Sequence, residues 1–173
     1  ILVVTLAYFV MAVCHVSWTW DGSFLFFRTI EDGAMPIPHH RWSNMLPMGL
    51  LLWSSRHVTD LDLLATIYGA GLLLPSWLAL VGGILVLPPR LHHLRIWIVV
   101  GVLLVPLPAV MFPSSEVTPC LQLVWPLLGW IWAGYPRRWL APMAIVTGLM
   151  VGLHPASGPA LALVAAVAWR QPP

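Results

Sequence analysis

Six apolar runs separated by short polar turns limit what this chain can fold into more than any other feature. The longest, Leu61–Leu87, carries a single charged side chain, Asp62, and that at its start. The others extend from Ile1 to about Trp18, Ile96 to Phe112, Val117 to Trp132, Leu140 to Leu153 and Gly158 to Trp169. A helical membrane crossing takes about 20 predominantly apolar residues. Hydrophobic residues make up 60% of the chain and charged residues 8%, against roughly 25% charged in a soluble domain. So few charges could not cover a soluble domain of this size. The expected fold class is all-α: a polytopic helical membrane protein with one transmembrane domain, 1–173, and about six crossings. Membrane lipids are its first expected partners. The last two runs, separated by His154–Pro155, fit two short spans or one bent hairpin equally well.

Basic character resides in arginine alone, and the formal charge of +2 is small and dispersed. No basic run or aromatic-basic motif points to nucleic acid. Cys14 and Cys120 lack metal-ligand spacing and are expected as buried free thiols rather than a disulfide. Opening at Ile1 inside an apolar run and closing on Arg-Gln-Pro-Pro, the chain reads as incomplete at one or both ends.

Polar residues gather between Trp18 and Trp42, in WTWDGSFLFFRTIEDGAMPIPHHRW. Trp18 and Trp20 fit an interfacial aromatic belt. Asp21–Gly22–Ser23 reads as a turn or helix cap, and Ser23 to Asp32 as a short helix on the membrane surface. Gly33 should end that helix, and Pro36 and Pro38 should keep the next residues extended. Ser43 to His57 is too short to span and reads as an interfacial or re-entrant helix, with Leu46, Leu50, Leu51 and Trp53 on its apolar face. Thr59–Asp60–Leu61–Asp62 matches a capping pattern, which explains the Asp-x-Asp spacing without a metal. His15, at the end of the first run, is expected to find a backbone partner. Pro88 to Arg95, with His92 and His93, reads as a short basic loop.

Orientation follows from arginine placement. With the 19–59 loop outside, Arg90, Arg95, Arg137, Arg138 and Arg170 fall inside and all six acids fall outside. The expected orientation is therefore a cytoplasmic N-terminus and an extracytoplasmic acidic loop, and the expected home of the chain is a bacterial inner membrane.

The outer face then carries Asp21 with Glu31 and Asp32, His39–His40–Arg41, Glu116, and His154 as a further candidate. Glu31 and Asp32 fit a solvated helix end. Asp21 and Glu116 each begin a polar turn directly beyond a span. If they converge, they could hold a divalent cation such as Mg or Mn, or divide base and electrostatic duties. His39, His40 and Arg41 offer cationic and hydrogen-bonding groups suited to a phosphate at membrane level.

An inside N-terminus, an acid just past the first span in WTWDGS, interfacial helices, and a second acid in FPSSEVTP resemble the N-terminal membrane module of GT-C fold glycosyltransferases. The resemblance implies a hexosyltransferase that takes sugar from a polyprenyl-phosphate donor on the extracytoplasmic face. It further implies Asp21 as general base, Glu116 holding a metal or orienting Asp21, and His39, His40 and Arg41 on the donor phosphate. A paired acid beside Asp21, the later spans and a soluble C-terminal domain are absent from this sequence. The alternatives are a transporter or flippase-type protein, a non-catalytic assembly subunit of a membrane complex, and a membrane-bound metal enzyme. Against the last, the pairs His39–His40 and His92–His93 fall on opposite faces, and adjacent histidines diverge on a helix.

Overall fold

The computed structural model describes residues 1–15, 21–36, 42–104, 117–134, 140–153 and 157–170. These are helical throughout, with no strand among them. The α-helices are α1 (Leu2–Val13), α2 (Asp21–Asp32), α3 (Met45–Ser54), α4 (Leu61–Val86), α5 (His92–Leu104), α6 (Val117–Trp132), α7 (Leu140–Leu153) and α8 (Ser157–Trp169). Short 3₁₀ turns at Trp42–Asn44 and Pro89–Leu91 lead into α3 and α5.

Proline sets many of these starts. In α3, α6, α7 and α8 the third helical residue is a proline (Pro47, Pro119, Pro142, Pro159). The first-turn amides of a helix have no partner within it, so a residue without N–H costs nothing there and its fixed φ favours the turn. Asp60 sets the start of α4. Its Oδ1 accepts hydrogen bonds from the amides of Asp62 at 2.9 Å and Leu63 at 3.1 Å. Asp62 in the first turn complements the positive end of the helix dipole. Capping is thus the role of the Asp-x-Asp pair, although the cap is Asp60 rather than Thr59. Asp60→Ala should lower stability by about 1 kcal/mol, seen as a lower melting temperature in detergent. Added Mg or Mn should not shift the wild-type melting temperature through this pair.

Two helices organise the packing. α4 carries α1 along one side: Trp77 Nε1 donates to Thr5 Oγ1 at 3.1 Å, and His15 Nε2 lies 3.4 Å from Thr66 Oγ1. The two helices therefore run antiparallel. The Thr66 hydroxyl also donates to the Asp62 carbonyl at 3.0 Å. His15, two residues beyond α1, has φ of 53°.

α6 is the second organiser. Its Gln122 amide donates to the Val102 carbonyl of α5 at 3.2 Å. Gly101 of α5 lies flat against the Trp125 indole of α6. On another side, Gly83 of α4 faces Pro126. α7 and α8 complete the bundle around Leu123, Leu127, Ile131, Val146, Met150 and Val164. They are two separate helices, both packed on α6.

Several boundaries match the expectation, among them Leu61 for α4 and Val117–Trp132 for α6. Others differ. His92, His93 and Arg95 are in the first turn of α5 and not in a loop. α3 buries Pro47, Met48, Leu51 and Ser54, while Leu46 and Trp53 are exposed. Cys14 is exposed and only Cys120 is buried; both are free thiols. Among the described residues, α4 alone is long and apolar enough to cross a membrane by itself. The other apolar helices, at 10–17 residues, rise about 15–25 Å.

Candidate functional site

The polar end of the bundle is built by α2, α3 and the first half of α4. α2 is amphipathic: Leu25, Phe26 and Thr29 are buried, while Phe24, Phe27, Arg28 and Glu31 face outward. Phe26, fully buried, meets Tyr68 of α4 edge to face with ring centroids 5.8 Å apart. Gly33, at φ of 61°, terminates the helix as expected. Left-handed backbone of this kind is cheap only without a β-carbon.

α3 then runs back along α4. It ends at Ser54, six residues before the Asp60 cap, and its Pro47 lies against Gly71. A β-carbon on Gly71 would come within 2.9 Å of Pro47 Cα. Gly71 is ten residues into α4, about 15 Å from its start. The 3₁₀ turn Trp42–Asn44 packs against α7. A groove of about 730 Å³ opens there, walled by Trp42, Met45 and Leu46 on one side and by Ile145, Gly148 and Gly152 on the other. A β-carbon on Gly148 would meet nothing within 4 Å. The volume is in the range of small-molecule sites, and the walls are apolar.

The predicted site residues fare unevenly. Asp21 is the first residue of α2, but its side chain lies outside the described residues. So do His39, His40, Arg41, Glu116 and His154, and the convergence of Asp21 with Glu116 lies outside them too. Asp32 is accounted for: it accepts from Arg28 Nε at 3.0 Å, one helical turn away. Both partners are half-exposed, and such a pair contributes at most about 1 kcal/mol. Glu31 is exposed, as a solvated helix end should be. Among the described residues no three His, Cys, Asp or Glu side chains cluster as a metal site.

Sequence reasoning missed the groove. Its readable signal is Gly148-x-x-x-Gly152 on α7, which places two glycines on one helical face one turn apart and leaves a smooth stripe. No family model, curated protein or solved structure matches this chain.

Proposed function

We propose that the chain is a polytopic membrane protein that transfers a sugar from a polyprenyl-phosphate donor at its polar, extracytoplasmic end. The embedding is supported by the outward faces of the helices. Leu2 is 82% exposed, Ile96 68%, Leu85 63% and Ile145 63%. Outside the α2–α3 region, the helices carry charge only near their ends, at Asp62, Arg95 and Arg170. Soluble monomers rarely expose apolar surface on this scale, whereas acyl chains solvate it. In this reading α1, α4, α5, α6, α7 and α8 are the six crossings, and α3 is a re-entrant helix whose start lies well below the outer surface.

The observation that carries the choice of donor is the groove between α3 and α7. It offers apolar walls to a prenyl chain. Trp42 on one wall directly follows Arg41 in sequence, and Gly152 on the other precedes His154 by two residues. In this reading Arg41 and His154 would supply cationic or hydrogen-bonding groups for a phosphate. Asp21 would take the acceptor's proton as the acceptor oxygen attacks the anomeric carbon. The bond to polyprenyl phosphate breaks, and the leaving phosphate carries away the electron pair. Arg41, His40 and His39 would stabilise that charge. Glu116, with or without Mg or Mn, would hold or orient the groups around Asp21.

The test uses the full chain in liposomes containing a polyprenyl-phosphate sugar with a labelled hexose. Wild-type protein should release polyprenyl phosphate. Gly148→Leu, whose side chain enters open space, should fold normally and raise KM for the donor about tenfold. A wild-type protein that never consumes such a donor, or a Gly148→Leu protein with unchanged KM, would sink this reading.

A further inference from the structure

We infer that the opposite end of the bundle holds one anionic phospholipid, with its phosphate on Arg95 and an acyl chain along α5. The inference rests on the membrane embedding and is independent of any sugar transfer.

Arg95 is partly buried in the first turn of α5, and its Nη2 donates to the Leu87 carbonyl at 3.0 Å, directly beyond α4. That bond fixes the plane of the guanidinium. Its Nε–H is shielded from water and has no acceptor among the described residues. A guanidinium carries five donors in a rigid fork, so a fixed arginine retains donors for an acidic oxygen. No described carboxylate neutralises it. The acids whose side chains are described are Glu31 and Asp32 on α2, and Asp60 and Asp62 at the other end of α4. That helix of 26 residues places its two ends about 39 Å apart. Arg90, His92 and His93 are exposed around Arg95, so the local charge is of one sign.

The second observation is a groove of about 420 Å³ lined by Arg95 together with Ile1, Ile84, Leu85, Ile96, Val99 and Val100. A soluble anion would match the arginine but gain nothing from six aliphatic walls. A phospholipid matches both parts, and a basic pocket beside membrane helices is suited to anionic headgroups. Zwitterionic lipid would bring its own cation to an end that already carries positive charge.

Native mass spectrometry of the full chain, released from micelles holding equal phosphatidylglycerol and phosphatidylcholine of one acyl composition, tests this. Phosphatidylglycerol adducts should dominate, and Arg95→Gln should reduce them about fivefold, the value of one basic contact near a membrane surface. Arg95→Lys should retain most of the binding, and Arg56→Gln, at the other end, should retain all of it. Equal retention of the two lipids, or unchanged phosphatidylglycerol in Arg95→Gln, overturns the inference. Wild-type protein also gives an answer without any variant. Phosphatidylglycerol with a photoreactive acyl chain should label Leu85 and Ile96 to Val100 above all other lipid-facing positions. Uniform labelling of the helices overturns the site.

Discussion

Asp21→Asn is expected to lower sugar transfer about 10³-fold while the folded protein remains as abundant as the wild type and loses at most about 1 kcal/mol of stability. A general base contributes about 10²–10⁴ in rate, so a loss near the middle of that range, about 4 kcal/mol of barrier, is the appropriate size. Asparagine keeps the shape and hydrogen-bonding reach of aspartate but cannot accept a proton at neutral pH. The substitution also separates catalysis from helix initiation. Asp21 opens α2, and asparagine serves at helix starts about as well. Only the attraction of its charge to the helix dipole is lost, about 0.3–1 kcal/mol. Single-turnover release of polyprenyl phosphate, measured beside a thermal melt, reads both quantities. Undiminished release removes Asp21 from the mechanism, and a collapsed melt together with lost release assigns it to structure instead.

The largest effect on stability is expected at Gly101. A β-carbon there would overlap the indole of Trp125, and Trp125 borders the cluster that joins α1, α4 and α5. Gly101→Leu must therefore part α5 from α6 or turn the indole out of its site, at a cost of about 3 kcal/mol. Separation of these helices also breaks the bond from Gln122 to the Val102 carbonyl, in a setting where no water replaces it. Trp125→Ala should lower stability on its own by removing the indole. Combined with Gly101→Leu, it should lower stability by much less than the sum, because the leucine then occupies the vacated space. Additive losses in the detergent melt would show that the Gly101–Trp125 contact is not what joins the two helices.

The limits of the sequence reading have physical causes. The start of α4 was legible because charge marks it, with Asp60 as its cap; Pro119 and Pro142, in the first turns of α6 and α7, are signals of the same kind that the spacing of apolar runs does not use. Facing was not legible. In a helix such as α3, apolar on nearly every side, no polar stripe marks the outer face. Of the apolar face expected from Leu46, Leu50, Leu51 and Trp53, Leu51 is buried with Pro47 and Met48, while Leu46 and Trp53 are exposed. The basic stretch before Arg95 reads as a loop because charge suggests solvent, yet His92 and His93 fit the exposed first turn of a helix equally well. The glycine contacts of Gly71 with Pro47 and of Gly101 with Trp125 join residues far apart in sequence, and spacing along one chain cannot reveal such pairs. Of the candidate site, Asp21 is placed at a helix start and Asp32 in an ion pair. The groove between α3 and α7 was unseen because its two walls are about 100 residues apart in the chain.

The bond between Thr5 and Trp77 spans 72 positions, which bears on how the protein is made. Ribosomes add about 5–20 residues per second, so Trp77 is synthesised about 4–14 s after Thr5. Throughout that interval α1 has emerged without the helix that it packs on. Until then the Thr5 hydroxyl lacks its Trp77 donor. Biogenesis of this protein is thus a problem of custody, in which the first helix is held until the fourth arrives to claim it.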